Sequence, residues 1–203
     1  MIKETEAKRI LGEDMISPGD LINITSIPFD VPQSCKEIPF SETELLDHKG
    51  RYYLIYGISC FKNGCPVTIN SLKEMIGVNP EIQEPCFYNQ DWYDKEAFAQ
   101  IPMTEGWYFI RKNLFEESRA AQPDVFENKV NFPSAIRCTY SFFVVWNVRK
   151  KILWKEDFVW CSDRDHNGDR IYVGRYYDPD GVNKNGFNVH RHLALRNCYG
   201  CID

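Results

Sequence analysis

The spacing of apolar and polar residues predicts short helices in the first two thirds of the chain. Residues 4–11 consist mainly of helix formers and are followed by Gly12, which is typical of a helix C-cap. Ser41 and Glu44 have the spacing of a capping box and predict a second helix directly after them. Residues 68–76 and 91–100 are also predicted to be helical, and residues 17–20 to form a turn.

Strand patterns lie mainly toward the C-terminus. Residues 51–60 are rich in Tyr, Leu and Ile, and the large apolar side chains in residues 106–112 alternate in position as they do in a strand. Both segments are therefore predicted to be strands. Three further strands, at 157–161, 170–176 and 187–195, are joined by turns rich in Asp, Asn and Gly and predict a β-meander. Residues 134–151 contain strand-prone aromatic and β-branched residues, but their length favours a helix.

These elements predict a single α+β domain over residues 1–203, with short helices packed on a mainly antiparallel sheet. Residues 1–133 are richer in predicted helix, and residues 134–203 in predicted strand. Residues 113–133 are polar and form the longest candidate linker, but a chain of 203 residues fits one compact domain.

Composition narrows the class of protein. The chain has 43% hydrophobic and 26% charged residues, which is typical of a globular domain and excludes disorder as the dominant state. A net charge of -5 argues against bulk nucleic-acid binding and against attraction to anionic membranes. Because the first residues lack a long apolar run and no later segment is apolar enough to span a bilayer, we expect a cytoplasmic protein without a membrane segment. Eight cysteines are too few for a disulfide scaffold, and most are expected to be thiols.

The first candidate site is a calcium-like turn in the sequence DRDHNGD. Side-chain oxygens at alternate positions and a glycine at the bend are typical of the opening of a calcium loop, and the residues concerned are Asp163, Asp165, Asn167 and Asp169. Gly174 stands where a bidentate Glu closes such a loop, and a strand is predicted to follow. A hairpin turn held by Asx hydrogen bonds needs the same residue types, so a turn is the preferred interpretation.

The second candidate site is a zinc site near the C-terminus. Two histidines two apart on a strand project from one face, and two cysteines three apart form a knuckle, so four ligands are available for a tetrahedral ion. The residues are His190, His192, Cys198 and Cys201. The short spacing between the pairs is unusual for zinc, and two surface histidines with two ordinary thiols are the alternative.

No catalytic residue is assigned from the sequence, because the common motifs for serine hydrolases, zinc proteases, P-loop enzymes and dinucleotide-binding enzymes are missing. A pair such as Cys161 with His166 or His190 stays open, since catalytic partners meet in space and not in sequence. Aromatic residues make up 14% of the chain, and those that are exposed are candidates for binding a sugar, a base or a protein.

Several segments together resemble an uncharacterised family of bacterial hypothetical proteins. They are IPFSE (38–42), WYDKEAFA (92–99), GW (106–107) with RK (111–112), and CSDRD (161–165) with RIYVG (170–174). The resemblance covers residues 38–175 in scattered segments. It implies a cytoplasmic bacterial protein and no particular reaction, cofactor or catalytic residue.

Two functions are therefore expected. The first is a non-catalytic binding module for a small ligand or a protein, which uses exposed aromatic residues and the Asp/Asn-rich turns of the meander. The second is a zinc-dependent enzyme or a zinc-stapled domain that uses the four C-terminal His and Cys residues. No cofactor is assigned beyond the zinc of this alternative.

Overall fold

The computed structural model describes residues 2–33, 36–176, 186–192 and 195–203. Within these ranges the chain forms five α-helices: α1 (Glu4–Leu11), α2 (Pro18–Ile22), α3 (Glu42–His48), α4 (Ile69–Ile76) and α5 (Ala135–Arg149). The same ranges contain seven strands: β1 (Met15–Ile16), β2 (Tyr52–Gly57), β3 (Gly106–Arg111), β4 (Phe158–Arg164), β5 (Arg170–Tyr176), β6 (Gly186–His190) and β7 (Tyr199–Gly200).

The strands form two sheets in which antiparallel pairing dominates. The first has the order β1-β2-β3, with β1 parallel and β3 antiparallel to β2. The second has the order β6-β5-β4-β7. Its strands β4, β5 and β6 form the predicted antiparallel meander, and β7 joins β4 in parallel. The predicted α+β class is confirmed.

Helix α5 connects the two sheets and lies in the core. Ten of its residues, from Ala135 to Val145, are buried, because this part of the helix carries apolar or small side chains on nearly all of its faces. The hydroxyl of Tyr140 donates to the carbonyl of Tyr56 in β2 at 3.0 Å, and the Phe142 ring packs 4.7 Å from the Phe187 ring of β6. The predicted helix over residues 134–151 is confirmed. No helix in the described ranges has both the length and the apolar composition needed to cross a bilayer.

Residues 113–133 cover the outer face of the second sheet. Two short 3-10 helices, Glu116–Ser118 and Pro123–Phe126, lie in this segment, and the Phe126 side chain packs with a second aromatic cluster on β4, β5 and β7. Backbone hydrogen bonds from Phe115 to Cys201 and from Ala120 to Tyr199 fasten the segment to the sheet. The candidate linker is thus a packed layer of the fold.

Three local predictions are wrong. The strand predicted at residues 187–195 ends at His190, so His190 and His192 do not share a strand face, and residues 193–194 lie outside the described residues. Residues 17–20 begin helix α2, because Ser17 and Asp20 form a capping box at its start. Residues 91–100 do not form a continuous helix: a turn is followed by a 3-10 helix, Ala97–Gln100, and Glu96 between them has extended backbone angles (φ -73°, ψ 141°). The extended backbone directs the Glu96 side chain toward the turn between β4 and β5, where it forms two hydrogen bonds.

Candidate functional site

The candidate site is built on the turn between β4 and β5, residues 165–169. This turn packs against the segment that contains Trp92 and Glu96, and the first residue after β6, Arg191, lies beside it. Four polar side chains meet there, which we call the turn network: Glu96, Asp165, His166 and Arg191.

Asp165 holds the turn together from inside. Its Oδ1 atom accepts hydrogen bonds from the backbone N–H groups of Asn167 and Asp169, both at 2.9 Å. Its Oδ2 atom lies 3.2 Å from Nη1 of Arg191. Burial of the side chain by itself raises the pKa of Asp165, but the Asp169 and Asn167 amides and the Arg191 guanidinium together hold the pKa below its usual value.

Glu96 orients the imidazole of His166. The Glu96 side chain is buried, with 9% of its surface exposed. Its Oε2 atom accepts the backbone N–H of His166 at 3.1 Å, and its Oε1 atom lies 2.6 Å from Nδ1 of the ring. A carboxylate only accepts hydrogen bonds, so we assign the shared proton to Nδ1. In the neutral form of the ring Nε2 is then the acceptor edge, and the His166 side chain is 65% exposed.

Arg191 links this network to an aromatic side chain. Its guanidinium carbon lies 4.7 Å from the centre of the Trp92 ring, within the range of a cation–π contact. Nη1 of Arg191 is also 3.9 Å from Oε1 of Glu96, so the cation faces both buried carboxylates. The Trp92 indole N–H donates to the carbonyl of Val189 in β6 at 3.1 Å, which fixes the ring against the sheet.

A surface cleft of about 590 Å³ opens beside the network. We call it the Trp92 cleft, and it is lined by Trp92, Lys95, Glu96, Ala97, Arg164, Asp165 and His166. It combines one aromatic ring, an oriented imidazole, two cationic side chains and two carboxylates. A concave site with an aromatic wall and convergent polar groups suits a small polar molecule.

Glu96, Asp165 and His166 have ligand atoms within 4.8 Å of one another, the one such group of potential metal ligands among the described residues. Their hydrogen bonds argue against a metal ion. Each of the four carboxylate oxygens already faces an N–H donor, and the Arg191 guanidinium supplies the neighbouring positive charge. A cation at this point would compete with Arg191 for both carboxylates.

The residues of the calcium-like turn serve different parts of the fold. Oδ2 of Asp163 accepts the backbone N–H of Ala135, the first residue of α5, at 2.6 Å, and burial raises the pKa of Asp163. Asp165 points inward as described, whereas Asn167 and Asp169 are exposed. The carboxylates of Asp163, Asp165 and Asp169 do not all come within 4.8 Å of one another. The Asp165 contacts are those of a turn held by side-chain-to-backbone hydrogen bonds.

The four zinc candidates do not form a cluster of three or more ligands among the described residues. The His190 ring stacks on Tyr172 at 5.4 Å, and burial, followed by the nearby His192, lowers the pKa of His190. His192 is exposed beyond the end of β6. Burial raises the pKa of Cys201 to about 11 and also raises the pKa of Cys198. No three of these four described residues bring ligand atoms within 4.8 Å of one another.

Sequence reasoning selected Asp165 and considered His166, but it missed Glu96, Arg191 and Trp92 as parts of one site. Glu96 and His166 are 70 positions apart, and no spacing rule connects them. The available signal was the concentration of Trp, Lys and Glu in residues 92–96, a segment whose composition predicts a helix. Comparisons of the chain with protein-family models, with curated proteins and with solved structures found no match.

Proposed function

We propose that this protein is a binding module for a small polar molecule, and that the Trp92 cleft is its binding site. The observation that carries the proposal is the pair of hydrogen bonds by which buried Glu96 orients His166 at the edge of the cleft. Orienting an exposed side chain costs conformational entropy, and a ligand that finds the imidazole already placed does not incur that cost.

The lining defines the chemistry of the ligand. In the neutral form of the ring the Nε2 edge of His166 accepts a hydrogen bond, which fits a ligand that carries a hydroxyl or N–H donor. Lys95 and Arg164 favour an acceptor or an anionic group, and the Trp92 side chain offers a surface for a ring. The net charge of -5 supports a small molecule in preference to a nucleic acid. We also propose that the protein is cytoplasmic, that it is bacterial, and that it is related to the family of hypothetical proteins that its sequence resembles.

The test is a ligand screen by ¹H–¹⁵N NMR with small ring compounds that carry hydroxyl or amine groups. We expect a hit to shift the Trp92 indole N–H and the His166 backbone N–H. The same compound should bind His166→Ala at least about tenfold more weakly, because one hydrogen bond is lost. His192→Ala is the matched control, since His192 is exposed and outside the cleft lining. The proposal is wrong if no compound shifts these two signals, or if His166→Ala binds equally well.

One observation favours a second function, acid–base catalysis. A carboxylate that fixes the Nδ1 proton of a histidine leaves Nε2 as a base toward a bound substrate. In this case a hit is converted on incubation with the protein, and His166→Gln retains binding while conversion stops. If the bound compound stays unchanged, the protein is a binding module and not this enzyme.

A further inference from the structure

A second, smaller pocket of about 140 Å³ lies beside the same turn. It is bounded by the 3-10 helix Pro123–Phe126 on one side and by the β4–β5 hairpin on the other. Gly168 and Asp169 of the turn line it, whereas Asp165 and His166 line the Trp92 cleft. We call it the arginine pocket, because Arg164, Arg170 and Arg191 all contribute to its wall.

Two buried N–H donors in the wall of this pocket have no hydrogen-bond partner among the described residues. One is Nε1 of Trp160, whose residue is 1% exposed. The other is Nε of Arg170, whose side chain is 7% exposed. A buried donor without an acceptor is costly, and almost all such groups in folded proteins are paired. Both residues line the same pocket, so an acceptor group bound there lies next to both side chains.

The guanidinium groups are held in place by contacts at their other edges. Arg170 donates to the carbonyl of Cys161 at 3.0 Å and lies over the Phe132 ring at 4.4 Å. Arg164 donates to the carbonyl of Gly168 at 2.9 Å. These contacts orient the cations before any ligand arrives.

Carboxylates accompany these arginines, and those of Asp124 and Asp169 belong to residues that also line the pocket. Arg170 pairs with Glu127, and Arg164 lies 3.2 Å from the same carboxylate. Asp124 is 3.4 Å from Arg170 and 3.6 Å from Arg164. Asp124 is mostly exposed and Glu127 is about half exposed, so both can turn outward into water at a small cost in free energy. These carboxylates compete with a bound anion for the arginines, so we expect the pocket to bind the anion with moderate affinity.

We propose that the arginine pocket binds a compact oxyanion group, a phosphate or a carboxylate carried by a small molecule. Oxyanions accept several hydrogen bonds at once, and arginine is the side chain best suited to supply them. The volume equals that of roughly five water molecules, which accommodates a four-oxygen group. Arg164 lines both this pocket and the Trp92 cleft, whereas Trp160 and Arg170 line the arginine pocket and not the cleft, so binding at these two residues is tested independently of the function proposed for the cleft.

The test uses inorganic phosphate as the probe and the Trp160 indole N–H as the reporter. The indole signal is assigned with Trp160→Phe and is followed in ¹H–¹⁵N spectra at constant ionic strength. We expect a saturable shift of this signal that is larger than the shift of the Trp92 indole signal, because Trp92 is reached only through its contact with Arg191. Acetate and chloride are titrated in parallel. A response to phosphate alone identifies a phosphate site, and a response to acetate as well identifies a general oxyanion site.

Variants separate a built site from ionic screening. Arg164→Gln should weaken phosphate binding about tenfold, because a charge-assisted hydrogen bond is lost, and its exposed position should leave the fold intact. Arg170→Lys retains the positive charge and removes Nε, so it should also weaken binding. Arg9→Gln, at an exposed arginine on α1, is the matched control and should bind phosphate like the parent protein.

Three results would overturn the proposal. The first is the absence of a saturable shift at phosphate concentrations on the order of 10 mM, the affinity range that a few hydrogen bonds provide. The second is a gradual shift of many signals that Arg164→Gln leaves unchanged, which indicates screening by an adventitious ion only. The third is an equal response to chloride, which has no oxygen atoms to pair with the two donors.

Discussion

Replacement of Asp165 by Ala tests how much the turn network depends on one carboxylate. The substitution removes the acceptor of two backbone N–H groups, those of Asn167 and Asp169, and the partner of Arg191. Hydrogen bonds to a charged acceptor contribute about 1.5–3 kcal/mol each in buried positions. Both neighbours are exposed, so water replaces part of each bond. The Arg191 pair is mostly buried, with 26% of the Arg191 side chain and 0% of the Asp165 side chain exposed, but Arg191 keeps Glu96 at 3.9 Å as a second carboxylate, so the lost contact adds about 1 kcal/mol.

The expected loss is therefore about 2–3 kcal/mol of unfolding free energy, measured by urea denaturation with an unchanged m-value. For a chain of this size that corresponds to a fall in Tm of about 5–10 °C. Asp165→Asn keeps an oxygen for the two N–H groups but places an amide against Arg191, so we expect an intermediate loss. Asp169→Ala is the control, because its exposed side chain should change stability by no more than about 0.5 kcal/mol.

The loss should also depend on pH with a defined sign. The folded state holds the pKa of Asp165 below its usual value of 3.8. The stabilisation is then fully present above the unfolded-state pKa and disappears as the pH falls through the folded-state pKa. The difference between parent and Asp165→Ala should be constant above about pH 5 and shrink below about pH 4. A loss below about 0.5 kcal/mol at pH 7, or a difference that grows in acid, would refute this account of the turn.

Three further predictions follow from other parts of the fold. Chelator treatment should leave the Tm unchanged, because no three of the four zinc candidates bring ligand atoms within 4.8 Å of one another; a fall in Tm with loss of stoichiometric zinc would support the zinc alternative. Asp163→Asn should be at least as stable as the parent at pH 7, because burial raises the pKa of Asp163 and the fold therefore disfavours its charged form. The advantage of the variant should vanish below about pH 4, where the carboxyl group is protonated in both states. A variant that is less stable than the parent at pH 7 would contradict this reasoning. Phe142→Ala in α5 should cost about 3–5 kcal/mol in urea denaturation, because the ring is fully buried; a cost below about 1 kcal/mol would mean that α5 is not the centre of the core.

The local elements of the fold were predictable because they depend on neighbours within a few residues. Ser41 and Glu44 complete each other's hydrogen bonds, and Gly12 ends α1 with a positive φ of 60°. The strands of the meander follow from side-chain types that suit a buried sheet. The helix prediction for residues 91–100 is wrong for the opposite reason. The helix-forming composition of the segment is outweighed by long-range contacts of Glu96, which hold that residue in an extended conformation.

The candidate site lies beyond the reach of such local rules. The sequence alone indicated an Asp/Asn-rich turn at residues 163–169, and the contacts of Asp165 were implicit in that pattern. Only the tertiary structure decided that Glu96 orients His166 and that Arg191 lies between two buried carboxylates and Trp92. The physical reason is that periodicity records which residues are buried, whereas the partner of a buried charge is chosen by the packing of segments that are distant along the chain.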